Sequence, residues 1–241
     1  MNVALIFAGG TGQRMNSRTR PKQFLELHGK PIIIYTLEHF ENHDDIDGVV
    51  VVCLAKWASY LEKLLKKFHI SKVVAIVPGG RSGQESIFNG LKKMAEIYPP
   101  NTVVLIHDGV RPLINNQVIT DNINSVLTNG NAITVSHANE TVAVKNGRDG
   151  DIANVLDRSQ CKVAKAPQSF YLGDIYAAHQ KAHREKQQDM VDSATLMQWY
   201  GKRLYSVICE SFNIKITTPL DFYIFRAILD SKENSQLLGL E

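Results

Sequence analysis

Five short runs rich in β-branched residues punctuate the first 135 residues of this chain: Val3–Phe7, Gly48–Leu54, Val73–Val77, Val103–His107 and Asn131–Val135. Between them lie stretches with helical spacing, Pro31–Glu41, Trp57–Phe68, Glu85–Glu96 and Asn116–Thr128. Within Trp57–Phe68 the apolar residues Trp57, Tyr60, Leu61, Leu64, Leu65 and Phe68 recur at helical steps, which gathers them on one face. Lys63, Lys66 and Lys67 fall on the other side and read as a solvated face. Strands alternating with helices in this way predict an α/β fold of Rossmann-like type, a mostly parallel sheet with helices on both faces. The 241 residues suffice for a sizeable core and are expected to form one domain, residues 1–241.

Ligands of such sheets bind beyond the carboxyl ends of the strands. Three segments fall there: Gly9–Arg14, Gly79–Ser86 and Asp108–Pro112. The first reads Ala8-Gly9-Gly10-Thr11-Gly12-Gln13-Arg14-Met15 and is followed by Pro21-Lys22-Gln23-Phe24. Glycines let backbone amides approach an anion, and Arg14 with Lys22 can neutralise a polyphosphate such as a nucleoside triphosphate. Arg14, Arg18, Arg20 and Lys22 place four cations within nine residues. The spelling is not that of a P-loop, because Gln13-Arg14 follows Gly12 where Lys-Ser/Thr would be needed. Nor is it a dinucleotide fingerprint, since Met15 stands where the third glycine belongs. An ordinary turn with a solvated basic loop is the competing reading.

The stretch from His137 to Val163 breaks the strand–helix rhythm. Two extended arms, Ala138–Lys145 and Asp151–Asp157, flank Asn146-Gly147-Arg148-Asp149-Gly150, a hairpin signal. A β-hairpin arm at about 137–163 would project from the α/β body with unpaired edges that need cover. Composition narrows the classes further: 44% hydrophobic and 21% charged residues describe a globular chain, and a net charge of +3 is too mild to argue for nucleic acid. No apolar run approaches a membrane span, and no basic segment precedes Val3–Phe7 as in a secretory leader, so a cytoplasmic location is expected. Cys53, Cys161 and Cys209, odd in number and widely spaced, fit a reducing compartment without disulfides or a zinc site.

Taken together, Ala8-Gly9-Gly10-x-Gly12-x-Arg14-Met15 and Pro21-Lys22-Gln23-Phe24 resemble the signature of the small cytidylyltransferases. Three more segments match in order: Pro78-Gly79-Gly80 through Ser86, His107-Asp108-Gly109-Val110-Arg111-Pro112, and Asn213-Ile214-Lys215-Ile216-Thr217. The likeness covers nearly the whole chain. It implies a nucleotidyltransferase that joins CTP to a phosphorylated polyol, releasing pyrophosphate. Its two best-known branches act on ribitol 5-phosphate and on 2-C-methyl-D-erythritol 4-phosphate. The His-Asp-Gly-Val-Arg-Pro segment and the Trp57-bearing helix look more like the ribitol branch; methylerythritol phosphate, or another alditol phosphate such as arabinitol or mannitol phosphate, is the alternative.

The implied roles follow motif by motif. Arg14 and Lys22 would grip the triphosphate and leaving group, with Lys215 beside the α-phosphate. A lysine inside Phe212–Ile216, read as an alternating buried strand, is costly unless an anion meets it. Ala8, Gly9, Gly10, Thr11, Gly12, Gly80, Ser86 and Asp108 would bind the nucleotide, the base being read by Ala8, Gly80 and Ser86. Asp108 would hold magnesium, which usually takes one or two carboxylates plus phosphate oxygens, or a ribose hydroxyl; a cap on the following turn is its structural alternative. Arg111 would bind substrate or fix that loop by pairing with a carboxylate. Asp192 would bind a polyol hydroxyl or cap the helix beginning near Ser193. The likeness also implies a homodimer in which the arm carries Thr141 and Arg158 into the partner's polyol-phosphate pocket, against the alternative of a surface hairpin with an incidental arginine. Many relatives have arginine where this chain has Gly83, with Arg81 earlier, which bears on how the base loop is anchored.

Other constellations are bland. His179 and His183 have zinc-like helical spacing, but Gln180 stands where a metalloprotease needs glutamate. His43-Asp44-Asp45 lacks the glycine and distal glutamate of a calcium loop. Ser159, Cys161 and Ser193 have no visible base partner.

Overall fold

The computed structural model describes residues 1–10, 20–147, 150–187 and 190–238. In chain order its strands are β1 (Asn2–Ala8), β2 (Glu26–Leu27), β3 (Lys30–Pro31), β4 (Gly48–Cys53), β5 (Val73–Pro78), β6 (Val103–Asp108), β7 (Asn131–His137), β8 (Val142–Lys145), β9 (Ile152–Leu156), β10 (Lys162–Tyr171) and β11 (Ser206–Ile208). The helices are α1 (Ile32–Glu41), α2 (Ala58–Lys67), α3 (Gly83–Ile97), α4 (Asn116–Asn129), α5 (Leu172–Arg184), α6 (Ser193–Trp199) and α7 (Pro219–Leu238). All five expected strands and all four expected helices are present, with ends moved by a residue or two.

Seven strands form one sheet in the order β11-β7-β10-β6-β1-β4-β5. Pairing is parallel except at β10, which runs antiparallel to both β6 and β7. Side chains alternate across the sheet, as the twofold strand period requires. Ala4, Ile6 and Ala8 of β1 join one apolar layer with α1, α2 and α4, for example through Leu37, Leu61 and Ile119. Val3 and Leu5 join the opposite layer with α3, α5 and α6 through Leu91, Ile175 and Leu196. The expected cover of both faces is therefore met. A smaller cluster of Leu27, Ile32, Val110, Leu113, Ile216 and Phe225 seats α7 and the loop after β6 against the β2–β3 hairpin.

Local chemistry sets the helix ends. Ser82 and Asn115 accept backbone hydrogen bonds from Glu85 and Val118 at the starts of α3 and α4. Gly130, at φ 85°, ends α4 in the left-handed conformation.

The arm forms a separate two-stranded sheet of β8 and β9, and Val144, Ile152, Val155 and Leu156 on it are exposed. Arg148 and Asp149 of its turn lie outside the described residues. One expectation fails: Phe212–Ile216 is not a strand. Its buried residues are Asn213 and Ile216, a spacing of three rather than two. Its backbone is held instead by separate contacts, Ile216 donating to the Val110 carbonyl at 2.9 Å and accepting from Lys22 at 3.0 Å.

Candidate active site

The parallel strands β1, β5 and β6 end together, so the loops after them share one edge of the sheet. The approach of the first two is close: a Cβ on Gly79 would lie 3.4 Å from the Gly9 Cα, and one on Gly9 would lie 3.2 Å from the Ser86 hydroxyl. Ala8, Gly9, Gly80 and Ser86 are thereby brought to one place, with backbone atoms forming much of the wall. The Ser86 hydroxyl accepts from the Gly80 amide at 3.0 Å and donates to the Ser82 carbonyl at 2.8 Å. Glu85 reaches back to accept from the Arg81 amide at 2.7 Å, while Ser82 accepts from the Glu85 amide. This reciprocal capping anchors the loop without an arginine at position 83. Thr11, Gly12 and Arg14 lie outside the described residues.

Gln23, quoted within a motif but given no role from sequence, is 1% exposed and donates to the carbonyls of Ala8 (2.6 Å) and Gly10 (3.3 Å). It ties the Lys22–Phe24 turn to the entry of the glycine loop. That turn is braced from the other side by Phe24 stacked on Trp57, with centroids 5.1 Å apart. Lys22 is so directed to the Ile216 carbonyl.

At the end of β6 the site gathers its charge. The Asp108 side chain is 6% exposed; Oδ2 accepts from Arg111 Nε at 3.1 Å, and the Lys215 ammonium stands 2.5 Å from Oδ1. Burial alone would raise the pKa of this carboxyl, but Lys215 and Arg111 together outweigh it and hold it below the usual range. Asp108 is therefore a charged acceptor, and pairing with Arg111 rather than capping is what the fold uses. Arg111 is 8% exposed and also donates to the Asn213 carbonyl at 2.9 Å. Asn213 in turn donates to the Ala166 carbonyl at 2.9 Å. Both polar ends of Arg111 are thus used to fix the loop, the role expected for it as a pairing residue.

Asp108 Oδ1 has acceptor capacity beyond the Lys215 contact, which fits a divalent ion completed by phosphate oxygens. Among the described residues the one grouping of three potential metal ligands is His28, Asp230 and Glu233, which does not include Asp108. A single carboxylate needs the nucleotide's own oxygens to complete such a site.

The remaining expectations fall elsewhere. Asp192 caps α6, accepting from the Thr195 amide at 2.8 Å, and also accepts from Gln168 Nε2 at 2.9 Å. Thr141 and Arg158 line one open cavity of about 570 Å³ at the base of the arm, with His137, Ala138, Asp157 and Ser159. His179 and His183 both stack on Phe88, with ring centroids 6.3 and 5.5 Å away.

Two histidines are held neutral by the core. Burial pushes His107 down to about 3, opposed in part by its hydrogen bond, in which Nε2 donates to the Arg111 carbonyl at 3.1 Å. Burial likewise pushes His179 down to about 4.

The family model described as "IspD: 2-C-methyl-D-erythritol 4-phosphate cytidylyltransferase" matches residues 2–231. A protein of Vibrio parahaemolyticus named ribitol-5-phosphate cytidylyltransferase is 54% identical over 239 residues, 99% of this chain and 100% of that one. A protein of Clostridium botulinum named 2-C-methyl-D-erythritol 4-phosphate cytidylyltransferase is 35% identical, covering 95% of this chain and 97% of its own. Among solved structures, the 4-diphosphocytidyl-2C-methyl-D-erythritol synthase of Anaerococcus prevotii superposes with a TM-score of 0.81 at 26% identity, covering 95% of this chain and 96% of that one.

The buried histidines give a pH dependence of known sign. An unfolded imidazole takes up a proton near 6.5 whereas these two do not, so stability falls as pH drops from 7 to 5. Each contributes a loss of about 2 kcal/mol at pH 5. Urea unfolding at both pH values should show it, and His179→Phe should remove roughly half; a curve flat from pH 7 to 5 would contradict the assignment.

Proposed function

This chain belongs to the IspD family of cytidylyltransferases, and from that premise we propose that it converts CTP and D-ribitol 5-phosphate to CDP-ribitol and pyrophosphate. The observation that carries the choice of acceptor is the 54% identity, end to end, to a protein named for ribitol 5-phosphate, against 35% to one named for methylerythritol phosphate. 2-C-Methyl-D-erythritol 4-phosphate is the second reading. A CDP-alditol of this kind suits the assembly of wall or capsule polymers.

The acceptor brings its own nucleophile. Its phosphate is largely dianionic near neutral pH, so neither a general base nor a covalent intermediate is needed. A phosphate oxygen forms a bond to the α-phosphorus of CTP as the bond to the β-phosphate oxygen breaks, and pyrophosphate carries the charge away. The protein's work is to bring two anions together and to stabilise that charge. Lys22 and Lys215, with Arg14, are assigned to the triphosphate. Lys215, 38% exposed at its side chain and paired with Asp108, has room to exchange that carboxylate for the α-phosphate. The base is assigned to the pocket of Ala8, Gly80 and Ser86, and the phosphates to the amides of Gly9 to Gly12. Magnesium supplies charge neutralisation on the phosphates when bound, and Asp108 is the residue that would hold it. Arg111 keeps Asp108 and the Asn213–Lys215 segment in register.

A homodimer is part of the same proposal. Val144, Ile152, Val155 and Leu156 on a two-stranded arm with unpaired edges call for cover. A second copy would supply it, with Thr141 and Arg158 completing the partner's acceptor pocket. Location in the cytoplasm is the natural setting for these substrates; no helix among the described residues is long and apolar enough to cross a membrane.

Pyrophosphate release with CTP and magnesium, offering ribitol 5-phosphate and methylerythritol 4-phosphate separately, tests the substrate. Ribitol 5-phosphate should be turned over at least about tenfold faster; a preference for the other acceptor would overturn the reading. Lys215→Ala should reduce turnover by about two orders of magnitude with folding retained, as for loss of a major charge stabiliser. Sedimentation velocity at micromolar protein should report a dimer, and a monomer there would remove the partner role of Thr141 and Arg158.

A further inference from the structure

Lys165 is a cation the proposed chemistry has not used. It lies on β10 where pairing with β7 slips between Ala164 and Gln168, so that residues 165–167 bulge from the ladder. Bulges of this kind re-aim side chains and recur beside active sites. Its ammonium donates to the Ser211 carbonyl at 3.2 Å, and none of the ion pairs among the described residues includes it.

Among the described residues the Arg111 guanidinium acts on Lys165, and the nearby Glu210 carboxylate, next to Cys209, forms no ion pair with it. Burial lowers the pKa of Lys165, and the Arg111 guanidinium lowers it further. The Cys209 thiol beside it is itself raised by burial and so stays neutral at physiological pH, supplying no counter-charge. Asp108, the buried carboxylate of this corner, is already shared by Arg111 and Lys215. A half-buried ammonium with a like charge beside it and no carboxylate paired to it among the described residues is a site suited to an anion.

Strand order says which anion. β6, which carries Asp108, lies between β1, which leads into the glycine loop, and β10, which carries Lys165. The next residue to Lys165, Ala166, is tied through Asn213 and Arg111 to Asp108 and thence to Lys215. The triphosphate assigned to the β1 side leaves the β10 side for the second substrate.

We propose that Lys165 binds the phosphate group of the acceptor, holding that dianion on the β10 side of Asp108 while the nucleotide occupies the β1 side. The inference rests on the reading that the acceptor is a phosphorylated alcohol. It identifies Lys165 as a substrate-binding residue that also lessens the repulsion between the two anions as they meet.

Steady-state kinetics of Lys165→Ala and Lys165→Arg test it, using whichever acceptor the wild-type enzyme turns over. The wild-type preference judges the identity of the acceptor; the variants judge Lys165, so the two can fail separately. Lys165→Ala should raise KM for the acceptor by about tenfold or more, as for loss of a charge-assisted hydrogen bond, and leave KM for CTP within about twofold. Lys165→Arg should restore most of the affinity. Inorganic phosphate should compete with the acceptor in the wild type and lose that competition in Lys165→Ala. An unchanged acceptor KM, or CTP and acceptor KM values rising together, would overturn the assignment, as would phosphate competition undiminished in the variant.

Discussion

A carboxylate nearly sealed from water at the end of a strand is costly unless cations reach it, and the site is organised around meeting that cost at Asp108. Arg111 meets it from three residues on and Lys215 from across the fold. The consequence extends beyond a single ion pair. Arg111 fixes Asn213, Asn213 fixes Ala166 of the bulged strand, and Lys22 closes on Ile216. An irregular segment late in the chain is therefore held at the mouth of the sheet by polar side chains rather than by a strand ladder. Its one deeply buried apolar anchor is Ile216.

The same edge carries the two glycine loops, and their proximity follows from the sheet. β1 and β5 both flank β4 in parallel, so Gly9 and Gly79 emerge close together, where a side chain on Gly9 would press on the Ser86 hydroxyl and one on Gly79 would touch Gly9. Gln23 then fixes the first loop and the Ser82–Ser86 turn fixes the second. The outcome is a pocket walled by backbone next to a corner rich in cations, with the acidic hub between the β1 and β10 sides. A cytidylyltransferase needs that division, because its two substrates are both anions and must meet in line at one phosphorus.

The first half of the fold was legible because each element is short, strongly patterned and bounded by glycine, proline or a cap. Trp57–Phe68 is an example: Leu61, Leu64 and Leu65 are buried and Lys63, Lys66 and Lys67 are exposed, as the spacing demanded. The later elements were harder. β10 is exposed along its first residues and buried along its last, with Pro167 between, so it shows neither clean alternation nor a continuous apolar run. Phe212–Ile216 alternates in sequence and so resembled a strand, yet its polar contacts to Val110, Lys22 and Arg111 prevailed. At the site, Asp108, Arg111 and Lys215 were named from motifs, and the first two were expected to carry charge or fix a loop. That the three share one hub was not visible, because Lys215 lies 104 positions beyond Arg111 in the chain. Gln23, Asn213 and Lys165 were invisible for the same reason: each matters through partners distant in sequence or through a bulge that no local pattern announces.

The most direct test of this account is the unfolding free energy of Asp108→Asn at neutral pH, read by urea denaturation with circular dichroism. If Asp108 is the anion on which Arg111 and Lys215 both depend, neutralising it leaves a nearly buried guanidinium short of its counter-charge. Stability should then fall by about 3 kcal/mol or more, the scale for breaking a buried pair from one side. A loss below about 1 kcal/mol, typical of an exposed pair, would contradict the central place given to that carboxylate.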